Sequence, residues 1–389
     1  MARAEAATAL PVYLFVLPWG LKHRGGVTQV VLSLARELQA GGQYEPVVLV
    51  SDWNAAEPVW DALDGIRIVY WRLQGWVPGM GWRARLGAAR WAWRNGAVFR
   101  RLCREQRVAA INVHYPGLNA FAVAPLARRC GGLPLILSFH GSDVVQVAQA
   151  AAPERRAWRG LLRHASATTT CSGDLAGQLR QVLGDDTAVT AIHNGVDAPD
   201  FRATALAPPA LGGRVLLSVG RFDDIKGQDV LLTAFAELAA QDPQLQLVLV
   251  GASGPLLPAL RTQAAALGLA PRVHFLADLT HREVAGWMRQ AELFILPSRR
   301  EAFGMVLLEA GAFGVPVVAS AVGGVPEVIR DGATGRLVPP GDAAALAQAM
   351  RAMLDAPQAA RAMGQSLQRD VDQHFSWRAA CGRYLDLLA

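Results

Sequence analysis

A chain of 389 residues, 52% hydrophobic and 18% charged, carries enough apolar material for two or three buried cores, which excludes a disordered or fibrous protein. Its formal charge is only +6, and no apolar run reaches the roughly 20 residues that cross a bilayer, which excludes an integral helical membrane protein. Cys103, Cys130, Cys171 and Cys381 stand far apart with no CxxC or Cys/His cluster, so the expectation is reduced thiols in a cytoplasmic compartment and no structural zinc.

The first apolar run, 9–21, contains Pro11 and Pro18 and lacks a basic start or a small-residue cleavage site, so it reads as a buried strand rather than a leader. Strands are expected at 12–17, 46–51, 66–70, 108–113, 134–139 and 167–171. Helices are expected between them at 27–39, 81–106, 118–129 and 173–183. Continuous apolar strands alternating with helices indicate a parallel sheet covered on both faces. Residues 200–213, with Pro208, Pro209 and paired glycines, break the pattern. Alternation restarts with strands at 215–219, 245–250, 273–276, 293–296 and 315–319. The helices of this half are expected at 227–240, 254–267, 282–291 and near 306–312, with a helical tail from 343. The chain therefore reads as α/β, two tandem doubly wound Rossmann-like domains. Its organisation is expected as 1–197, a linker at 198–213, and 214–375. Ligands of such sheets bind at the carboxyl ends of the strands, so the cleft between the domains is the expected site.

Charge is concentrated in one place. Between Trp71 and Arg107 there are nine arginines against the single acid Glu105, together with Trp71, Trp76, Trp82, Trp91 and Trp93. Arginine and tryptophan on a helix suit an anionic membrane surface, because indole rings settle at headgroup level and guanidinium pairs with phosphate. The same segment could grip an anionic acceptor, or be a solvated helix face whose tryptophans fill the core. No nucleic-acid reader motif accompanies it.

Chemistry is expected at the strand-to-helix turns. Gly25-Gly26 let backbone approach a ligand at a helix N-terminus, and the preceding Lys22, His23 and Arg24 make that approach basic. His140-Gly141-Ser142-Asp143 sets an imidazole and a carboxylate at a strand's carboxyl end. Arg221 and Lys226 flank a turn that opens the second half, and they could converge on one anionic group. Lys226 is one of only two lysines among 38 basic residues. Glu301 and Glu309 bracket Phe303, Gly304 and an apolar run, and an ionised Glu309 there must meet a partner. Gly323-Gly324 precede another expected helix start with Pro326 in its first turn. Asp370 and Asp372 resemble a paired-aspartate metal motif, but at i and i+2 on a helix their side chains point apart. There is no GxGxxG fingerprint, Walker A loop, GxSxG elbow or HExxH.

Taken together, these residues resemble glycosyltransferase family 4, retaining sugar transferases of GT-B architecture. The resemblance covers nearly the whole chain and is strongest over 215–342. Glu301 through Gly304 with Glu309 matches that family's E-x7-E motif, and Arg221 and Lys226 match its diphosphate-binding pair. Gly25-Gly26 match its donor-closing loop, and His140 to Asp143 its donor-side histidine segment. The resemblance implies that Glu309 holds ribose hydroxyls, Glu301 contacts the donor sugar and His140 lies beside the transferred sugar. His140, Glu301, Arg221 and Lys226 are the implied catalytic set. Gly25, Gly26, Asp143, Phe303, Gly304, Gly323 and Gly324 join Arg221, Lys226, Glu301 and Glu309 in binding substrate. It further implies a nucleotide-diphosphate sugar as donor, a glycan or lipid-linked acceptor, no metal for the chemical step, and a last helix (376–389) that completes the first domain. The expected reaction retains anomeric configuration, with the departing phosphate oxygen deprotonating the acceptor, in cell-envelope polysaccharide or lipopolysaccharide synthesis on the cytoplasmic face of a membrane. Nucleotide-sugar 2-epimerases share the fold and are the alternative, and a silent nucleotide-sugar sensor is a third reading.

Overall fold

The computed structural model describes residues 10–21, 25–184 and 186–388, so Lys22, His23 and Arg24 lie outside the described residues. The chain divides into two compact units. One comprises the described chain up to His193 and the segment from Trp377, and the other runs from Asn194 to Ser376.

In the first unit every expected strand is found, at β1 (Val12–Leu17), β2 (Glu45–Ser51), β4 (Ile66–Trp71), β5 (Val108–His114), β6 (Leu135–Phe139) and β7 (Ala167–Thr170). Two more are short or marginal, β3 (Val59–Leu63) and β8 (Thr190–Ala191). The sheet order is β3-β4-β2-β1-β5-β6-β7-β8, parallel except for the β3–β4 hairpin. A central parallel strand is covered on both faces, which is why β1 is six consecutive buried residues. β3 is exposed at all five positions and turns into β4 through Asp64-Gly65, with φ of 51° and 78°, the primed turn that a right-twisted hairpin favours. Helices Ser142–Gln149 and Ala152–Leu162 also lie where no helix was expected.

The second unit holds β9 (Arg214–Val219), β10 (Leu245–Gly251), β11 (Val273–Ala277), β12 (Leu293–Leu296), β13 (Val317–Ser320) and β14 (Arg336–Val338) in the all-parallel order β11-β10-β9-β12-β13-β14. Apart from its edge strands β3 and β8, the first sheet has the same order. In each sheet the direction of strand succession reverses once, between β1 and β5 and between β9 and β12, and a doubly wound sheet opens its ligand crevice at that reversal.

The stretch expected as a linker is partly regular. Residues Ala198–Ala203 form a helix of the second unit, capped by Asp197, whose carboxylate accepts the Asp200 N–H at 3.3 Å. Buried Phe201 anchors it against Phe313, which the surrounding prolines and glycines hid from a reading by periodicity. The helix Trp377–Asp386 packs in the first unit, with buried Tyr384 facing the sheet.

Helices Met305–Ala312 and Pro357–His374 of the second unit approach closely because glycines line their contact. A Cβ at Gly364 would lie 2.2 Å from the Gly314 carbonyl oxygen and 3.0 Å from the Pro316 nitrogen. Gly364→Ala is expected to destabilise the protein by about 1–3 kcal/mol through overpacking, read as a lower urea midpoint at unchanged m-value.

Candidate functional site

The loops after β9 and β12 carry Arg221, Lys226, Arg299 and Glu301 of the second unit. After β9 the chain makes a single 3-10 turn, Asp224–Lys226, and then Gly227 at φ 63° before helix Gln228–Ala239. Only glycine fits at 227, since a Cβ would stand 2.2 Å from the Pro297 carbonyl oxygen of the loop after β12. That approach brings Lys226 Nζ to 2.6 Å from Glu301 Oε2, with side chains only 18% and 12% exposed. Ser298 Oγ lies 3.4 Å from the same oxygen. Arg299 binds the two loops together: its guanidinium donates twice to Asp229, at 2.8 and 2.6 Å, and once to the Asp224 carbonyl at 2.8 Å. Its hydrogen bonds hold the Asp229 carboxyl below the usual carboxylate range. Arg299 was not singled out in the sequence, although it stands two residues before Glu301 in an arginine pair.

Glu309 lies in the apolar helix Met305–Ala312 and is 7% exposed. The partner it requires is His281, whose Nε2 stands 3.1 Å from Glu309 Oε1. The other carboxylate oxygen has no protein partner among the described residues. His281 begins helix His281–Gln290, whose capping box of Thr280 and Glu283 fixes its first turn, and its ring rests 4.4 Å from the Phe201 ring. Burial disfavours the imidazolium, but the hydrogen bond and charge of Glu309, with Asp200, outweigh it and raise the pKa above its ordinary value. Sequence spacing offered no signal for this pair, because 28 positions separate them.

The other expected residues divide. Arg221 does not share a partner with Lys226: it pairs with Asp223 at 2.9 Å and is 65% exposed, whereas the Lys226 stem lies against Gly220. Phe303, expected to touch substrate, is 2% exposed, because its ring completes the core near Phe375. Gly304 takes φ 92° at the N-cap of the Glu309 helix. Gly323, at φ 53°, and Gly324 lead into only one helical turn, Val325–Val328. Asp370 and Asp372 serve separate ion pairs, with Arg330 at 2.7 Å and Arg202 at 3.2 Å.

In the first unit Gly25, in an extended conformation, is the N-cap of helix Gly26–Gly41 after β1. His140, just past β6, is half-buried, and its Nε2 lies 2.9 Å from Nδ1 of His114 at the end of β5. Burial lowers the His140 pKa to about 4 and drives that of His114 down as well. Asp143, expected to contact substrate, is fully buried and accepts the N–H groups of His140 at 2.9 Å, Gly141 at 2.7 Å and Val144 at 2.9 Å. Burial pushes its pKa up to about 6 even though these bonds favour the anion. Its carboxylate is consumed in holding Gly141 at φ 136°, so it shapes the turn that presents His140.

Comparison with known proteins follows the same division. Residues 24–199 match a family model described as Glycosyltransferase Family 4, and residues 207–370 one described as Glycosyl transferases group 1. The chain is 34% identical over 281 residues to a GDP-mannose-dependent alpha-(1-6)-phosphatidylinositol monomannoside mannosyltransferase of Mycolicibacterium smegmatis, covering 69% of this chain and 73% of that protein. It is 33% identical over 369 residues to a D-inositol 3-phosphate glycosyltransferase of Nocardioides, covering 86% and 79%. Among solved structures it is similar to sucrose-phosphate synthase of Thermosynechococcus elongatus, with a TM-score of 0.74, 25% identity, and 97% and 98% of the two chains covered.

His281 also sets a pH signature. Its raised pKa means that pairing with Glu309 stabilises the fold fully below the unfolded value of about 6.5 and fades as pH rises through the folded value. The loss of Tm in His281→Phe is therefore expected to be largest near pH 6 and to shrink toward alkaline pH, as followed by thermal unfolding across that range.

Proposed function

The chain belongs to glycosyltransferase family 4 and has the GT-B fold, and from that premise we propose that it moves a hexose from a nucleotide-diphosphate sugar to a glycan or glycolipid acceptor with retention of configuration. The observation that carries the reading is the Lys226–Glu301 pair beside a half-satisfied Glu309. A diphosphate entering this site takes Lys226 as its counter-charge, and Glu301 is freed to accept from sugar hydroxyls. Glu309 offers its open oxygen to the ribose. Neutralisation by Lys226 replaces a metal in the chemical step. The departing phosphate oxygen deprotonates the acceptor on the same face, so no carboxylate pair needs to flank the bond as in a retaining hydrolase. The role fits cell-envelope polysaccharide or lipopolysaccharide synthesis.

A lipid-linked acceptor is supported by helix Trp82–Glu105. Trp71 and Trp91 are core residues, but Trp82, Leu86, Ala89, Trp93 and Ala97 follow one another at spacings of four, three, four and four, all exposed. Trp82 is 68% and Trp93 83% exposed. Arg83, Arg90, Arg94 and Arg101 flank this outward stripe, and the helix has no acid before Glu105. That is the chemistry of an anionic bilayer surface, where indole and guanidinium are each at home. No helix among the described residues is long and apolar enough to cross a membrane. We propose that this stripe holds the protein peripherally on the inner face of the membrane.

Calorimetry against uridine, guanosine and adenosine diphosphates in metal-free buffer is expected to show one preferred ligand, with binding lost in Lys226→Ala and Glu309→Ala. Binding only after metal is added would overturn the diphosphate assignment. An epimerised sugar formed without acceptor would favour the 2-epimerase reading instead. For the surface contact, co-sedimentation with phosphatidylglycerol vesicles is expected, weakened at high salt and by Trp93→Ala with Arg90→Glu and Arg94→Glu. Equal sedimentation of wild type and variant would sink that assignment.

A further inference from the structure

Beneath His140 runs a buried polar row across the first sheet. Asn112 Nδ2 donates to the Tyr13 hydroxyl at 3.1 Å, Ser138 Oγ donates to Asn112 Oδ1 at 2.7 Å, and Thr169 Oγ1 donates to Ser138 Oγ at 2.9 Å. Buried Tyr384, from helix Trp377–Asp386, covers the row with its hydroxyl toward Ser138 and Thr169. Side chains two residues apart on a strand share a face. His114, two residues beyond Asn112, and His140, two beyond Ser138, therefore form the next rung toward the carboxyl ends of β5 and β6. Their rings stack with centroids 5.1 Å apart at 21°, and the Tyr384 ring lies 6.0 Å from His114.

A nitrogen-to-nitrogen distance of 2.9 Å needs one proton between the rings, since two protons would collide and two lone pairs would repel. Burial keeps both imidazoles neutral at pH 7, so each ring holds a single proton. If His140 were the donor, the proton of His114 would sit on its Nε2, which is buried and meets no acceptor. A buried N–H without an acceptor is the costlier orphan, and a bare lone pair in the same place is tolerated better. The proton between the rings therefore belongs to His114 Nδ1. His140 Nε2 accepts it, and the single proton of His140 is on Nδ1, which has no acceptor among the described residues.

We propose that His114 is the positioning residue of His140, fixing its ring and tautomer so that it presents an Nδ1–H donor, rather than a basic nitrogen, to a hydroxyl of the bound sugar. The sugar clause rests on the transferase reading above, whereas the tautomer does not. In this arrangement His140 cannot act as the base that takes the acceptor's proton. It orients a hydroxyl oxygen by donation and keeps that capacity across the neutral pH range.

The direct test is a two-bond proton–nitrogen correlation spectrum of protein labelled with nitrogen-15 histidine, with His140 assigned from the peak lost in His140→Gln. The expected result is a protonated Nδ1 and a bare Nε2 on His140 between pH 6 and 8 (a window set about neutrality). A protonated Nε2 overturns the proposal, and this reading needs only the wild-type protein. In turnover, His114→Phe is expected to lower kcat/KM for the donor by about tenfold or more, as for loss of one positioned hydrogen bond, with nucleoside diphosphate affinity unchanged and the His140 proton redistributed. His114→Asn, whose Nδ2–H can stand in for Nδ1–H, is expected to restore both. Unchanged kcat/KM and an unchanged tautomer in His114→Phe would also overturn the proposal. Absence of turnover in the wild type with every nucleotide sugar would fail the transferase reading instead, while the spectrum still decides the tautomer.

Discussion

A parallel sheet cannot return by hairpins. Each strand must be re-entered from the same end, so every strand-to-helix turn emerges at one edge of the sheet. Where strand order reverses, neighbouring turns depart to opposite faces and leave an opening that no helix fills. Both units of this protein obey that constraint. Gly25-Gly26 after β1 and His114 at the end of β5 border one reversal, and Lys226 after β9 and Glu301 after β12 border the other. The candidate residues sit where the topology leaves room for a ligand.

What the two openings contain differs in kind. In the second unit the candidate groups are charges held by other charges, Lys226 by Glu301 and Glu309 by His281, with Arg299 tying together the loops of Lys226 and Glu301. Removing either member of such a pair leaves a poorly solvated charge, a loss of about 3–5 kcal/mol when burial is complete. In the first unit the groups are neutral and ordered by hydrogen bonds that run across the strands from Tyr13 to Thr169. A connected, satisfied network of that type specifies orientation more than it adds stability. Asp143 also serves orientation, because three backbone amides occupy its carboxylate and leave little of it for a ligand.

The fold was largely legible because central parallel strands are covered on both faces, and β1 and β12, apolar throughout, announce themselves that way. Strand β3 was missed because an exposed edge strand carries no burial pattern, although Asp64-Gly65 was a turn signal in plain view. The charged candidate residues were singled out through local motifs, and of these Lys226 and Glu301 do meet. Their supports were not found, because His281 and Arg299 act across 28 and 70 positions respectively, and no periodicity links such pairs. Phe303 and Asp143 show the converse limit. Adjacency to a motif marks the loop, but alternation between core and surface decides which of its side chains face out. The tryptophans of 71–107 divide in the same way, with Trp71 and Trp91 inward and Trp82 and Trp93 outward on the next turns of the chain.

The Lys226–Glu301 contact also shapes how an anion would arrive. With its ammonium already matched by a carboxylate, this pair sends little positive field into the surrounding water. Capture would then depend on short-range exchange of one counterion for another, at contact distance. The pair's own share of the on-rate would respond weakly to ionic strength, because at separations beyond a Debye length a matched charge leaves little for salt to screen.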